Sequence, residues 1–259
     1  KYILRINKHK IQKPLTMKHL KTIFSVLAII VAVSCTKSQT EGNGRVTFEV
    51  SSNHTVVDMT KSNVSDYTTL PSAGDFTITI FDGASAQVWT GKISEWNPTT
   101  PLLAGNYTVK ATYGNLEEEG FDKPYFTGVQ TFAVKGDEST SVSIPVALGN
   151  TIIKISCTEY FKKYYSDYTF KLTRDGAVIA TFVKDETKGA FIDGYKIKVE
   201  GTLTGEMKTY TFEQEYTGLD EATAYTINFD APSAGGSTIT ISFNDTVETI
   251  DLGDLELND

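Results

Sequence analysis

From residue 44 onward the sequence alternates. Val46, Phe48 and Val50 stand against Thr47 and Glu49, then Phe76, Ile78 and Ile80 against Thr77 and Thr79. A repeat of two puts every apolar side chain on one face of an extended strand, and no window keeps a helical period for three turns. The same pattern predicts strands at 87–90, 106–113, 126–135, 139–147, 151–157, 168–173, 178–183, 195–203, 209–216, 224–229, 238–243 and 247–252. Thr, Val, Ile, Tyr and Phe fill these runs, which suits half-buried pleated surfaces. Asp82-Gly83, Ala104-Gly105, Asp175-Gly176, Asp193-Gly194 and Gly235-Gly236 punctuate them as turns. The chain is therefore expected to be all-β.

An internal echo bears on domain number. DFTITIFDG at 75–83 is answered by DYTFKLTRDG at 167–176, and each is followed by an apolar run, AQVWTG or AVIATF. A spacing of about ninety residues fits one immunoglobulin-like β-sandwich of ~100 residues. Two tandem sandwiches, 44–148 and 149–259, are expected; a single merged sandwich would show the same alternation.

Two segments break the pattern. Residues 51–74 are polar and read as a long surface loop without fixed order. In TEYFKKYYS at 158–166, Tyr160, Phe161, Tyr164 and Tyr165 have the spacing of one face of a short helix, and Thr158 can cap it. Such a helix would plug the end of the second sandwich or offer a sugar platform.

The N-terminal stretch concerns location. Residues 1–16 precede Met17 and read as an upstream extension. Lys18 and Lys21 then lead an apolar run, 23–33, that closes on Ala32-Val33-Ser34-Cys35. This run is shorter than the ~20 residues that span a bilayer. It has the layout of a secretory signal, 17–34, and its end fits a lipoprotein signal in which Cys35 is the acylated residue; an ordinary secretory signal is the alternative. Lipid on Cys35 and a short tether, 35–43, would hold the protein at the outer membrane, on its periplasmic or extracellular face. Acyl chains contribute ~0.8 kcal/mol per buried methylene, so several make a lasting anchor.

Composition then excludes chemistry. Seven basic and no acidic residues precede Cys35, leaving 17 basic against 32 acidic residues and a net charge of −15. That balance repels nucleic acid. Behind the leader only His54 and the thiol of Cys157 remain, too few for a zinc cluster, a histidine-bearing triad or an internal disulfide. No GxGxxG or phosphate-loop motif occurs. Glu117, Glu118, Glu119 and Asp122, like Asp220 and Glu221, read as solvated loop tips rather than a glycosidase pair, and Asp245, Asp251 and Asp254 lack calcium-loop spacing. No enzyme activity, cofactor or metal is expected.

GNYTVKATYG, FDKPYFTG at 121–128, VQTFAVKGDESTSVSIPVALGN and the aromatic run into SDY resemble a Bacteroidota lipoprotein family of unknown function. Fimbrillin-like envelope proteins are its distant relatives. The resemblance implies a lipid-anchored tandem sandwich and assigns no catalytic residue. The residues themselves leave two readings. The rings of the 121–128 segment are expected to tuck against the sandwich edge; the ligand-binding alternative is an exposed aromatic shelf in which Phe121, Tyr125 and Phe126, with the Asp122 carboxylate and with Trp96 beside Asn97-Pro98, meet a sugar. Trp89 alternates within a strand and is expected in the core. The expected function is a surface module that binds a glycan or a surface protein. The alternatives are a structural or adhesin-like subunit and, more remotely, a glycoside-acting enzyme.

Overall fold

The computed structural model describes residues 42–53, 63–231, 238–243 and 246–252. Readings that concern the leader, Cys35, the tether, His54 and Gly235-Gly236 lie outside the described residues.

Seventeen strands and one short α-helix make up the described fold. The first half holds β1 (Asn43–Asn53), β2 (Thr77–Asp82), β3 (Gln87–Lys92), β4 (Leu102–Leu103), β5 (Gly105–Tyr113), β6 (Gly120–Phe121), β7 (Phe126–Val134) and β8 (Ser139–Leu148). The second holds β9 (Thr151–Cys157), α1 (Glu159–Tyr164), β10 (Asp167–Arg174), β11 (Ala177–Val183), β12 (Ala190–Ile192), β13 (Lys196–Thr204), β14 (Thr209–Thr217), β15 (Ala224–Asp230), β16 (Thr238–Phe243) and β17 (Thr246–Asp251). The protein is thus all-β, in two sandwich-like halves.

The two halves repeat one topology. In the first, β3-β2-β5-β7 form one layer and β8-β1-β4 the other within a continuous sheet. In the second, β11-β10-β13-β14 match the first layer, and β15-β9 take the place of β8-β1 in the sheet β17-β16-β15-β9-β12-β6. In both halves the first strand runs parallel to the last of the repeat, β1 along β8 and β9 along β15. The echoed hairpins β2–β3 and β10–β11 even share a register shift, at Ile80/Phe81 and Leu172/Thr173.

The seven-stranded sheet folds over at one corner. β7 and β8 pair through Phe126↔Leu148 and Thr127↔Ala147, and there the ladder stops. Pro145 has no N–H to continue it. Gly128 passes so close to Pro145 that an added Cβ would sit 2.0 Å from the proline carbonyl oxygen. Beyond this corner the layers separate and enclose the first core, which includes Val46, Ile78, Ile80, Val109, Ile144 and Val146.

The second core lies between the other two sheets and is rich in rings. Phe170 stacks on Phe229 across the layers at 4.3 Å, and Phe161 from α1 packs against Tyr168 at 5.3 Å. The Thr158 hydroxyl accepts from Phe161 N at 3.2 Å and so starts the helix. α1 closes this end with Phe161 and Tyr165, both fully buried, while Tyr160 is 68% exposed. The four aromatics are therefore split between inside and outside. The loop expected at 51–74 is also corrected in its described part. β1 continues to Asn53, and Val64 sits in a 3-10 turn with its side chain fully buried in the first core.

Candidate functional site

The aromatics named as candidate ligand contacts are buried or half-buried. Trp96 follows a 3-10 turn, Ile93–Glu95, and is 8% exposed. Its indole N–H donates to the Val46 carbonyl at 2.8 Å, and its ring meets Phe48 at 5.3 Å and Trp89 at 5.1 Å, both edge-on. A buried tryptophan needs a partner for its N–H, and the neighbouring strand supplies one. Phe126 is fully buried in the same core. Trp89 packs partly buried against it.

The FDKPYFTG segment joins the two halves. β6 leaves the first half and pairs antiparallel with β12, becoming the edge strand of the second half's sheet. Phe121 thereby packs edge-on against Phe182 at 5.0 Å, in the second core. In exchange, Ile152 and Phe191 pack into the first core. Tyr125 is half-buried; its N–H donates to Oδ1 of the fully buried Asn150, and its carbonyl accepts from Gly149 N at 2.8 Å. Asp122 is exposed, at a left-handed φ of 56°, and pairs with Lys188 at 2.6 Å. These rings pack, as the tucked reading has it, and the segment is a joint: Phe121 lies on Phe182, Phe126 in the first core and the Tyr125 ring against Gly149.

The acidic run beside it is likewise engaged. Glu118 pairs with Lys123 at 2.9 Å, and that ammonium lowers the carboxyl's pKa. Glu119 bonds Arg174 Nη1 at 3.0 Å and accepts from Asp193 N at 2.6 Å, with side-chain exposures of 17% for Glu119 and 26% for Arg174. Arg174 also donates through Nε to the Lys196 carbonyl at 3.2 Å, while its buried Nη2 has no partner. Among the described residues no group of three His, Cys, Asp or Glu side chains is placed to hold a metal, and no helix is long and apolar enough to cross a membrane.

A cleft that the sequence did not point to opens at the α1 end of the second half. It has a volume of about 260 Å³, and its walls include Cys157, Tyr168, Phe170, Phe182, Asp185 and Thr187. The cleft exists because β12 leaves β9 after Ile153, so residues 154–157 have no strand beside them on that edge. Burial pushes the Cys157 thiol up to about 12 from 9.0, with partial opposition from Lys162. A thiol held that high is a weak nucleophile. At pH 8 its thiolate fraction falls on the order of a thousandfold below that of the unfolded chain. Iodoacetamide is expected to label native Cys157 slowly and urea-unfolded protein rapidly; equal rates would show an accessible, ordinary thiol. The same shift costs stability in alkali: the contribution is complete below pH 9 and lost as pH rises toward 12.

No curated protein matches the sequence. Among solved structures, the chain is similar to a fimbrial assembly protein from Parabacteroides distasonis, at 8% identity and a TM-score of 0.47, covering 82% of this chain and 100% of that one. It is also similar to the fimbrial anchor protein Mfa2 from Porphyromonas gingivalis, at 11% identity and a TM-score of 0.37, covering 80% and 99%. The profile of the domain of unknown function DUF4493 matches residues 42–253, most of the chain, and the protein belongs to that family.

Proposed function

We propose that this is a non-enzymatic, lipid-anchored cell-envelope module that carries its second sandwich, 149–259, away from the membrane on its first, 44–148. The observation that carries this reading is the use of the Gly114–Phe126 region. Side chains suited to catalysis or ligand contact there serve the joint between the halves: Glu119 on Arg174, Asp122 on Lys188, Phe121 on Phe182. A joint of this kind makes the halves move together, which suits presentation of a binding surface.

Strand direction supports this polarity. β1 starts at Asn43, just after the tether, beside the start of β8. β8 then runs to the joint, and β9 carries the chain onward to Cys157 and α1. Eight residues from Cys35 reach at most roughly 28 Å. A lipid at Cys35 would thus keep the start of β1 within that reach of the bilayer. Cys35→Ala is expected to move the protein from the membrane fraction to the soluble fraction of its native cell, without changing the melting temperature of the folded part. Retention of the variant in the membrane fraction would refute the anchor.

A further inference from the structure

We propose that the first half is a tension clamp: pulled between the residues before β1 and the α1 end of the second half, the protein holds through one ladder, β1 along β8, strained in shear. The covalent path singles out this ladder. From β8 the chain passes through Gly149 and Asn150 directly into β9, and from Cys157 through Thr158 into α1. A pull on α1 therefore runs down β9 to the end of β8 along peptide bonds alone. A pull from the other side enters β1 at its start, Asn43. Between these two taut segments stands a ladder of nine parallel residue pairs, Arg45↔Ser139 to Asn53↔Ala147; the covalent route from Asn53 to Ser139 is the rest of a folded half. Because the strands are parallel, force leaves β1 at its first residue and β8 at its last. The evenly spaced bonds are then strained together, whereas a pull on neighbouring ends would open them one at a time.

The start of β1 is fastened from both sides. Gly42 O accepts from Ala104 N, Asn43 O accepts from Asp137 N, and Arg45 N donates to Glu138 O, each at 2.9 Å. The last of these sets the phase of the ladder, in which β1 bonds through residues 45, 47, 49, 51 and 53 to positions 138, 140, 142, 144 and 146. Pro145 falls between the bonding positions, so its missing N–H weakens the pairing with β7 and takes nothing from the clamp. On the far edge of β1 the Val46 carbonyl accepts from the Trp96 indole at 2.8 Å. Gly44 passes so close to the Lys135 carbonyl that no Cβ would fit. Sliding β1 along β8 would break all of these contacts at once and drag Val46 out of the first core. The clamp rests on the anchor reading only for the source of its tension, and it is measurable without a membrane.

Gln39–Asp259, one compact unit, serves for single-molecule force spectroscopy. Each protein is held at its N-terminus and at one introduced thiol in a Cys157→Ala background. The thiol is Tyr160→Cys, exposed on α1, or Lys135→Cys, exposed beside the start of β1. The first attachment strains the β1–β8 ladder in shear, and the second peels β1 away from its start. At equal loading rate the shear geometry is expected to rupture at a several-fold higher force, since forced unfolding reports the barrier crossed rather than the equilibrium stability. Its first event should lengthen the tether by roughly 300 Å, the extended length of about 100 released residues less the span they covered when folded. Equal rupture forces in the two geometries would overturn the proposal, as would a first event in shear that leaves the first half folded. Equal forces with Cys35-dependent membrane retention intact would remove the clamp and leave the anchor. High force in shear, with Cys35→Ala still retained in the membrane fraction, would keep the clamp and remove that anchor as the origin of its tension.

Discussion

Trp96→Ala is expected to destabilise the protein by about 3–5 kcal/mol, the usual cost of emptying a buried tryptophan site. The side chain is 8% exposed, and its truncation leaves Phe48 and Trp89 facing a void. It also strands the Val46 carbonyl, which accepts the indole N–H at 2.8 Å and lies 50 residues away in β1. Since β1 bridges β4 and β8 in the outer layer of the first half, the damage falls on the whole sandwich. For a folded part of this size the melting temperature should fall by roughly 10 °C. Trp89→Ala, which removes a partly exposed ring from the edge strand β3, should cost clearly less. Thermal and urea unfolding of the three proteins decide the matter. A Trp96→Ala protein within 1 kcal/mol of the parent would place the ring at the surface, where a ligand role becomes available again.

The difference between Trp96 as read and Trp96 as found marks what a sequence exposes. The long strands were legible because each carries its own signal: an alternating run such as TIIKIS states its face without reference to any partner. The cap at Thr158 and the hairpin turn at Asp175-Gly176, both left-handed at φ 48° and 83°, are local in the same way. The joint had no such signal. β6 has two residues and β12 three, too short for any period, and their pairing links Phe121 with Ala190 far along the chain. Glu119 sits in a run of three glutamates that reads as a solvated tip until Arg174 arrives from β10, 55 residues later. Asn97-Pro98 after Trp96 likewise signals a turn, and only the long-range bond to Val46 fixes the ring inward. The cleft was hidden for a related reason, since it results from where β12 stops along β9 and from no motif.

The joint itself yields the other large effect. Glu119→Ala should cost about 2–3 kcal/mol, because the pair is largely shielded and its charge-assisted hydrogen bonds to Arg174 and Asp193 N are lost together. Arg174 would keep only its Nε bond to the Lys196 carbonyl, and its Nη2 is already without a partner. Asp193 N would lose its acceptor too. Both consequences fall where β6 meets β12, so the halves should lose their coupling as well as stability. Calorimetry is expected to show one transition for the parent and an earlier, separate melting of one half for the variant. The exposed pair Lys188–Asp122 is the internal control, since a solvent-screened pair contributes little and Asp122→Ala should leave the single transition in place. Replacing the whole pair, with Glu119→Leu and Arg174→Met together, should recover much of the loss, as apolar substitutes need no compensating charge. Should Glu119→Ala unfold in one transition at the parent temperature, the bond to Arg174 is dispensable, and the rigidity of the joint must come from the β6–β12 pairing and Phe121 alone.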